Sequence, residues 1–178
     1  MGYTNYWRAP RVLEKQAFIA FADDCRKICE SLPVGLAGAS GEGKPEFSQD
    51  KICFNGISPN DDHEPFIINR KLVIIGPEHF SCQPDENGLY FDFCKTERKP
   101  YDLCVKCCLV LLKAYFPQVK ISSDGGRNEE WFDAVESCHD VLAGDNVDVV
   151  NGDNVDDDAA EKPKKFHVLE GFDFQLDA

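Results

Sequence analysis

Residues 89–116 read LYFDFCKTERKPYDLCVKCCLVLLKAYF, and a change of pattern inside this stretch decides the fold. Its opening, Leu89–Cys94, is a short aromatic and apolar run of the kind that forms a strand. From Pro100 to Phe116 the period changes. Leu103, Cys107, Val110, Leu111 and Ala114 recur on one face at helical spacing. Pro100 suits a first helical turn, where a backbone N–H would find no partner anyway. A strand therefore passes into a helix through only Lys95-Thr96-Glu97-Arg98-Lys99, and the rest of the chain must be built around that unit.

Upstream, Phe18, Phe21, Cys25, Ile28 and Leu32 mark an amphipathic helix over residues 10–32, opened by Pro10 and closed by Pro33. Short strands are expected at Lys51–Asn55, Pro65–Asn69 and Lys71–Ile75, separated by turn clusters such as Asn55-Gly56 and Asn87-Gly88. Tyr3, Tyr6 and Trp7 suggest an edge strand or a lid over the core. Downstream, a strand at Val119–Ser122 leads through Ser123-Asp124-Gly125-Gly126 into a third helix near Asn128–Leu142. Helix, several strands, helix, strand, helix and strand describe an α+β domain, with a mainly antiparallel sheet covered by about three helices. Regular βαβ alternation is absent, which argues against a doubly wound nucleotide fold. One apparent nucleotide motif is a decoy. Gly38-Ala39-Ser40-Gly41-Glu42-Gly43-Lys44 matches the start of a phosphate-binding loop, yet Pro45 stands where Ser or Thr must ligate magnesium.

The chain has 178 residues and a formal net charge of −13, the size of one ordinary domain spanning residues 1–178. Such a charge argues against general nucleic-acid binding, which needs a basic footprint. No apolar run is long enough for a membrane span. The start, MGYTNYWRAP, lacks the apolar core of a secretory signal, so a cytoplasmic setting is expected. The nine cysteines then read as reduced thiols, most of them small core fillers, rather than a disulfide framework. No metal is expected, because separated CxxC-type pairs are missing, and the sequence names no cofactor. Residues 144–178 carry −7 of the charge. Within them GDNVD occurs at 144–148 and again at 152–156, which marks an acidic low-complexity insertion at about 144–163. Phe172, Phe174 and Leu176 beyond it suggest a returning C-terminal strand.

The segment Phe93–Asp102 carries the main functional expectation. Lys95, Arg98 and Lys99 crowd the start of a helix, where free amides and the dipole already favour anions. Glu97 and Asp102 offset part of that charge, so a set of internal salt bridges is the plain alternative. The functional reading is a small anionic ligand, phosphorylated or nucleotide-like, neutralised by Lys95, Arg98 and Lys99 and oriented by Tyr101, Ser123 and Asp124. His63 and Glu64, just before a strand, are the candidate acid/base pair, with Asp124 completing the catalytic set. Hydrolysis or transfer is the reaction class they point to. The other reading is a non-catalytic interaction protein, such as a phage-type inhibitor or an assembly component, that meets a protein partner through the acidic insertion.

Taken together, Gly2-Tyr3-Thr4-x-Tyr6-Trp7, Phe54-Asn55-Gly56, His63-Glu64-x-Phe66, FCKTxRKPYD at 93–102 and Ser122-Ser123-Asp124-Gly125 resemble a family of small bacteriophage and bacterial proteins of uncharacterised function. The resemblance spans residues 1 to about 142 and resumes in the closing GFDFQLD. It implies a cytosolic setting and marks candidate positions rather than a reaction. The abundance of cysteine and the acidic insertion depart from it.

Overall fold

The computed structural model describes residues 2–73, 83–125 and 128–144. The chain runs β1 (Thr4–Pro10), α1 (Lys15–Ser31), β2 (Leu36–Ala37), β3 (Glu46–Phe47), β4 (Lys51–Gly56), β5 (Phe66–Asn69), β6 (Leu89–Lys95), α2 (Asp102–Tyr115), β7 (Lys120–Ser123), a 3-10 turn at Asn128–Trp131 and α3 (Phe132–Gly144). The fold is α+β, with two antiparallel sheets rather than one. In the first, the order is β6-β1-β7; in the second, β4 pairs with β2, β3 and β5. The acidic stretch at 144–163 beyond Gly144, the closing segment expected as a strand, and the end of the run Lys71–Ile75 lie outside the described residues.

The first sheet is centred on β1, so Tyr6 and Trp7 lie in its middle strand and not on an edge. The register explains this: Tyr6 faces Phe93 on one side and Ser122 on the other, leaving neither flank of β1 open. Successive side chains point to opposite faces. Asn5 and Trp7 are turned inward and buried, while Tyr6 and Arg8 are half-buried on the outer face. Trp7 meets Phe66 of β5 edge-on, with 5.4 Å between ring centres, and so ties the two sheets together.

Helix α1 begins five residues later than Pro10 suggests. Residues 11–13 stay extended because Val12 bridges Lys71, and because Leu13 N–H donates to the Arg70 carbonyl. Glu14 then caps the helix, its carboxylate accepting from the N–H groups of Gln16 and Ala17. Those two bonds hold the Glu14 pKa below its usual range, with Ala17 the larger contributor.

Helix α2 is buried on every side from Cys104 to Leu112, not on one face only. It lies between α1 and α3 and also touches β1 and β7. Only a helix apolar all round can occupy that place, and the run CVKCCLVLL meets the demand with Lys106 as its single charge. All eight described cysteines are buried and free. Cys29 of α1 and Cys108 of α2 bring their sulfurs to 3.9 Å. Burial pushes the Cys25 thiol up to about 12, so it carries no nucleophilic thiolate at neutral pH. No helix among the described residues is long and apolar enough to cross a membrane.

Candidate functional site

Between β6 and α2 the chain makes a tight turn at Thr96–Lys99, closed by Lys99 N–H donating to the Thr96 carbonyl at 3.0 Å. Glu97 and Arg98 both have left-handed backbones, with φ of 52° and 58°. Two central residues of positive φ are the pattern of a turn that normally holds Asn and Gly. Placing Glu and Arg there costs about 1–2 kcal/mol per residue. The surroundings enforce it. The Tyr3 carbonyl accepts from both Thr96 N–H and Glu97 N–H, and the buried Thr96 hydroxyl donates to Asp102.

The turn aims Arg98 at the start of β1. Its guanidinium carbon lies 3.9 Å from the centre of the Tyr3 ring, and Nη2 donates to Glu130 Oε1 at 3.1 Å. The Tyr3 hydroxyl donates to Glu130 Oε2 at 2.7 Å and lies 3.0 Å from Ser123 Oγ. A phenol has one proton, and the ionised, closer partner takes it, which leaves Ser123 to donate in return. The electrostatics agree with this arrangement. Hydrogen bonds from Tyr3 and then Arg98 hold Glu130 below the usual carboxylate range. Burial, reinforced by the bond to Glu130, raises Tyr3. Gly125 completes the enclosure, because a Cβ at that position would overlap the Glu130 carboxylate.

Asp124, on the next residue of the same loop, fastens β1 to the end of β7. Its carboxylate accepts from Thr4 N–H at 2.9 Å and from the Tyr6 hydroxyl at 2.7 Å. Beneath the turn lies a buried polar set. Asp102 accepts from Asn5 Nδ2 at 2.7 Å, and Lys106 Nζ stands 3.1 Å from its other oxygen. Lys106 also faces the rings of Tyr3 and Trp131, at 4.7 and 6.0 Å. Burial alone would lower its pKa, but the charge of Asp102 and the contacts with Tyr3 outweigh it and the net shift is upward. Asn5 Oδ1 is buried, and no donor among the described residues reaches it.

The other side of the turn holds a separate set. His63 Nε2 lies 3.2 Å from Glu97, not on Glu64, and its buried Nδ1 has no partner among the described residues. The Glu64 carboxylate accepts from Lys95 N–H at 3.0 Å and acts as a strand-end clamp. Tyr101 is fully buried and donates its hydroxyl to the Glu64 carbonyl at 2.7 Å. Lys99 Nζ donates to the Asn60 carbonyl at 2.7 Å, whereas the Lys95 side chain runs past Gly2. The three cations therefore leave the turn in different directions. Arg98, Ser123 and Asp124 are neighbours through Tyr3, Glu130 and β1; His63, Glu64, Lys99 and Tyr101 gather on the Asn60–Glu64 loop.

Asn5, Lys106 and Glu130 are not legible as site residues in the sequence, and Tyr3 is marked there only as part of a motif. A lone lysine four residues after an aspartate, inside an otherwise apolar helix, is the one signal that points to a buried pair. Among the described residues, no three His, Cys, Asp or Glu side chains are grouped to hold a metal ion. A shallow groove of about 210 Å³ lies on the outer face of the first sheet, near Tyr6, Arg8, Phe91 and Lys120, and includes none of the expected site residues. Compared with known proteins, the chain matches no family model, no curated protein and no solved structure.

Proposed function

We propose that the protein binds a small anionic ligand, phosphorylated or nucleotide-like, at the Thr96–Lys99 turn, with Arg98 as the anchoring cation. The observation that carries this reading is the pair of left-handed residues at the turn. Backbone strain of this kind persists where the fold over-determines it, and such positions cluster at ligand clamps and active sites. Here the strained residue is an arginine whose side chain is 56% exposed although its guanidinium rests on Tyr3. An exposed guanidinium held by a ring is pre-organised for an oxyanion, since little side-chain freedom remains to be lost. Lys95 and Lys99 flank it and add to the local field, and Ser123 offers a hydroxyl beside Tyr3. For chemistry at the ligand, hydrolysis or group transfer is the class to assay. The cytoplasm is the compartment.

A thermal-shift panel of inorganic phosphate, nucleotides and phosphosugars tests the reading. A ligand at 100 times its dissociation constant adds about 2.7 kcal/mol of stability. Binding should disappear in Lys95→Ala/Arg98→Ala. No shift with any member of the panel, or an equal shift in that variant, overturns the proposal.

A further inference from the structure

We infer that Glu130 is an internal stand-in for the ligand: its carboxylate fills the oxyanion position at Arg98, and an external oxyanion binds by displacing it. This rests on the reading of the turn as an anion site and adds how that site is regulated. Three features of the geometry carry it. First, Glu130 presents its two oxygens to two different donors, Oε1 to Arg98 and Oε2 to the Tyr3 hydroxyl. That is the pairing an incoming carboxylate or phosphoryl group would require. Second, the space for the carboxylate exists because residue 125 is glycine; a Cβ there would overlap the carboxyl carbon and both oxygens. Third, the latch is held at the surface and not locked in the core. The Arg98 side chain is 56% exposed and that of Glu130 23%, so the pair is of the solvent-screened kind that an external ion can replace.

Glu130 sits on the short 3-10 turn whose neighbour Trp131 is fully buried. The carboxylate can therefore swing out while its backbone stays anchored. A site occupied by its own carboxylate binds an external ion with an affinity reduced by the fraction of open molecules. The latch would restrict the site to ligands that bring more than one charge or a second contact, such as a phosphate ester or a polycarboxylate.

The test is titration calorimetry with pyrophosphate and with citrate, which separate phosphoryl from carboxylate ligands, on wild type and three variants. Glu130→Gln removes the charge of the competitor. Glu130→Ala removes the carboxylate altogether and leaves its space open to the probe. Both should tighten binding of the same probe by about tenfold, the factor expected when the latched form outnumbers the open one ten to one. Arg98→Ala should abolish binding. If Arg98→Ala abolishes binding but neither latch variant tightens it, the site stands and the latch is wrong. If wild type and both latch variants all fail to bind either probe, the anion site itself is wrong, and the latch falls with it.

Discussion

The Tyr3 hydroxyl and the Arg98 guanidinium share the two oxygens of one carboxylate, that of Glu130, while the guanidinium carbon rests 3.9 Å from the centre of the Tyr3 ring. One residue before β1, one in the turn after β6 and one in the 3-10 turn before α3 thus meet at a single point. Tyr3→Phe keeps the ring and removes the hydroxyl, so that Glu130 Oε2 and the Ser123 hydroxyl lose their bonds to it while Glu130 Oε1 keeps Arg98. It should cost about 1–2 kcal/mol in urea unfolding. An unchanged midpoint would mean that the hydroxyl is idle.

Strain at Glu97 has a clean signature. Replacing Glu97 by Ala or by Gly removes the same carboxylate, but only Gly relieves the left-handed backbone. Glu97→Gly should therefore be more stable than Glu97→Ala by about 1 kcal/mol, the reverse of the usual order. Alanine equal to or better than glycine would refute the strained turn.

The buried pair beneath the turn makes a larger prediction. The side chains of Lys106 and Asp102 are only 8% and 11% exposed. Lys106→Met leaves the Asp102 carboxylate buried with only the neutral donors Asn5 and Thr96, and should cost about 3–5 kcal/mol. Adding Asp102→Asn removes the orphaned charge and should restore more than half of that loss. Chemical denaturation of both variants decides it, and equal stabilities would rule out an uncompensated charge as the cause.

Stability should fall on the alkaline side. Burial raises the pKa of Cys25 to about 12 and raises Tyr3, while Asp102 and Tyr3 carry Lys106 upward against its own burial. For each, the folded value lies above the unfolded one. Its contribution is complete below the unfolded pKa and is lost as pH rises towards the folded value. With unfolded thiols near 8.5 and phenols near 10, the melting temperature of the reduced protein should decline from about pH 8.5 upward. Glu130 and Glu14 run the other way: held below their usual range, they stabilise above about pH 4.3 and lose that contribution as pH falls. A melting temperature flat to about pH 10.5, past the unfolded values of all three groups, would contradict the assignment.

The strand-to-helix unit at 89–116 is legible because its periodicity changes from strand to helix within a few residues, and the structure sets β6 and α2 at almost those bounds. Two features are not. That β1 is a central strand depends on pairing with residues about 85 and 115 positions away, and its own seven residues hold no record of those partners. The start of α1 is displaced because Val12 bridges Lys71, a contact between distant segments that local propensity does not see. At the site, the cations of residues 95–99 stand out as a cluster in one dimension but diverge in three. His63 meets Glu97 instead of its chain neighbour Glu64, and Arg98 meets Tyr3 from far upstream and Glu130 from downstream. A carboxylate such as Glu130, met in a sequence as one acid among 32, carries no mark of the partner that gives it a task.

The central claim is that an oxyanion binds where Arg98 and Tyr3 converge. Amide chemical-shift mapping during a pyrophosphate titration of the full chain tests it most directly. Binding at that point predicts saturable changes that are largest at Tyr3–Thr4, Thr96–Lys99 and Ser123–Gly125, and absent in Arg98→Ala. Changes centred on the outer-face groove near Arg8, Phe91 and Lys120, or none at all, would contradict it.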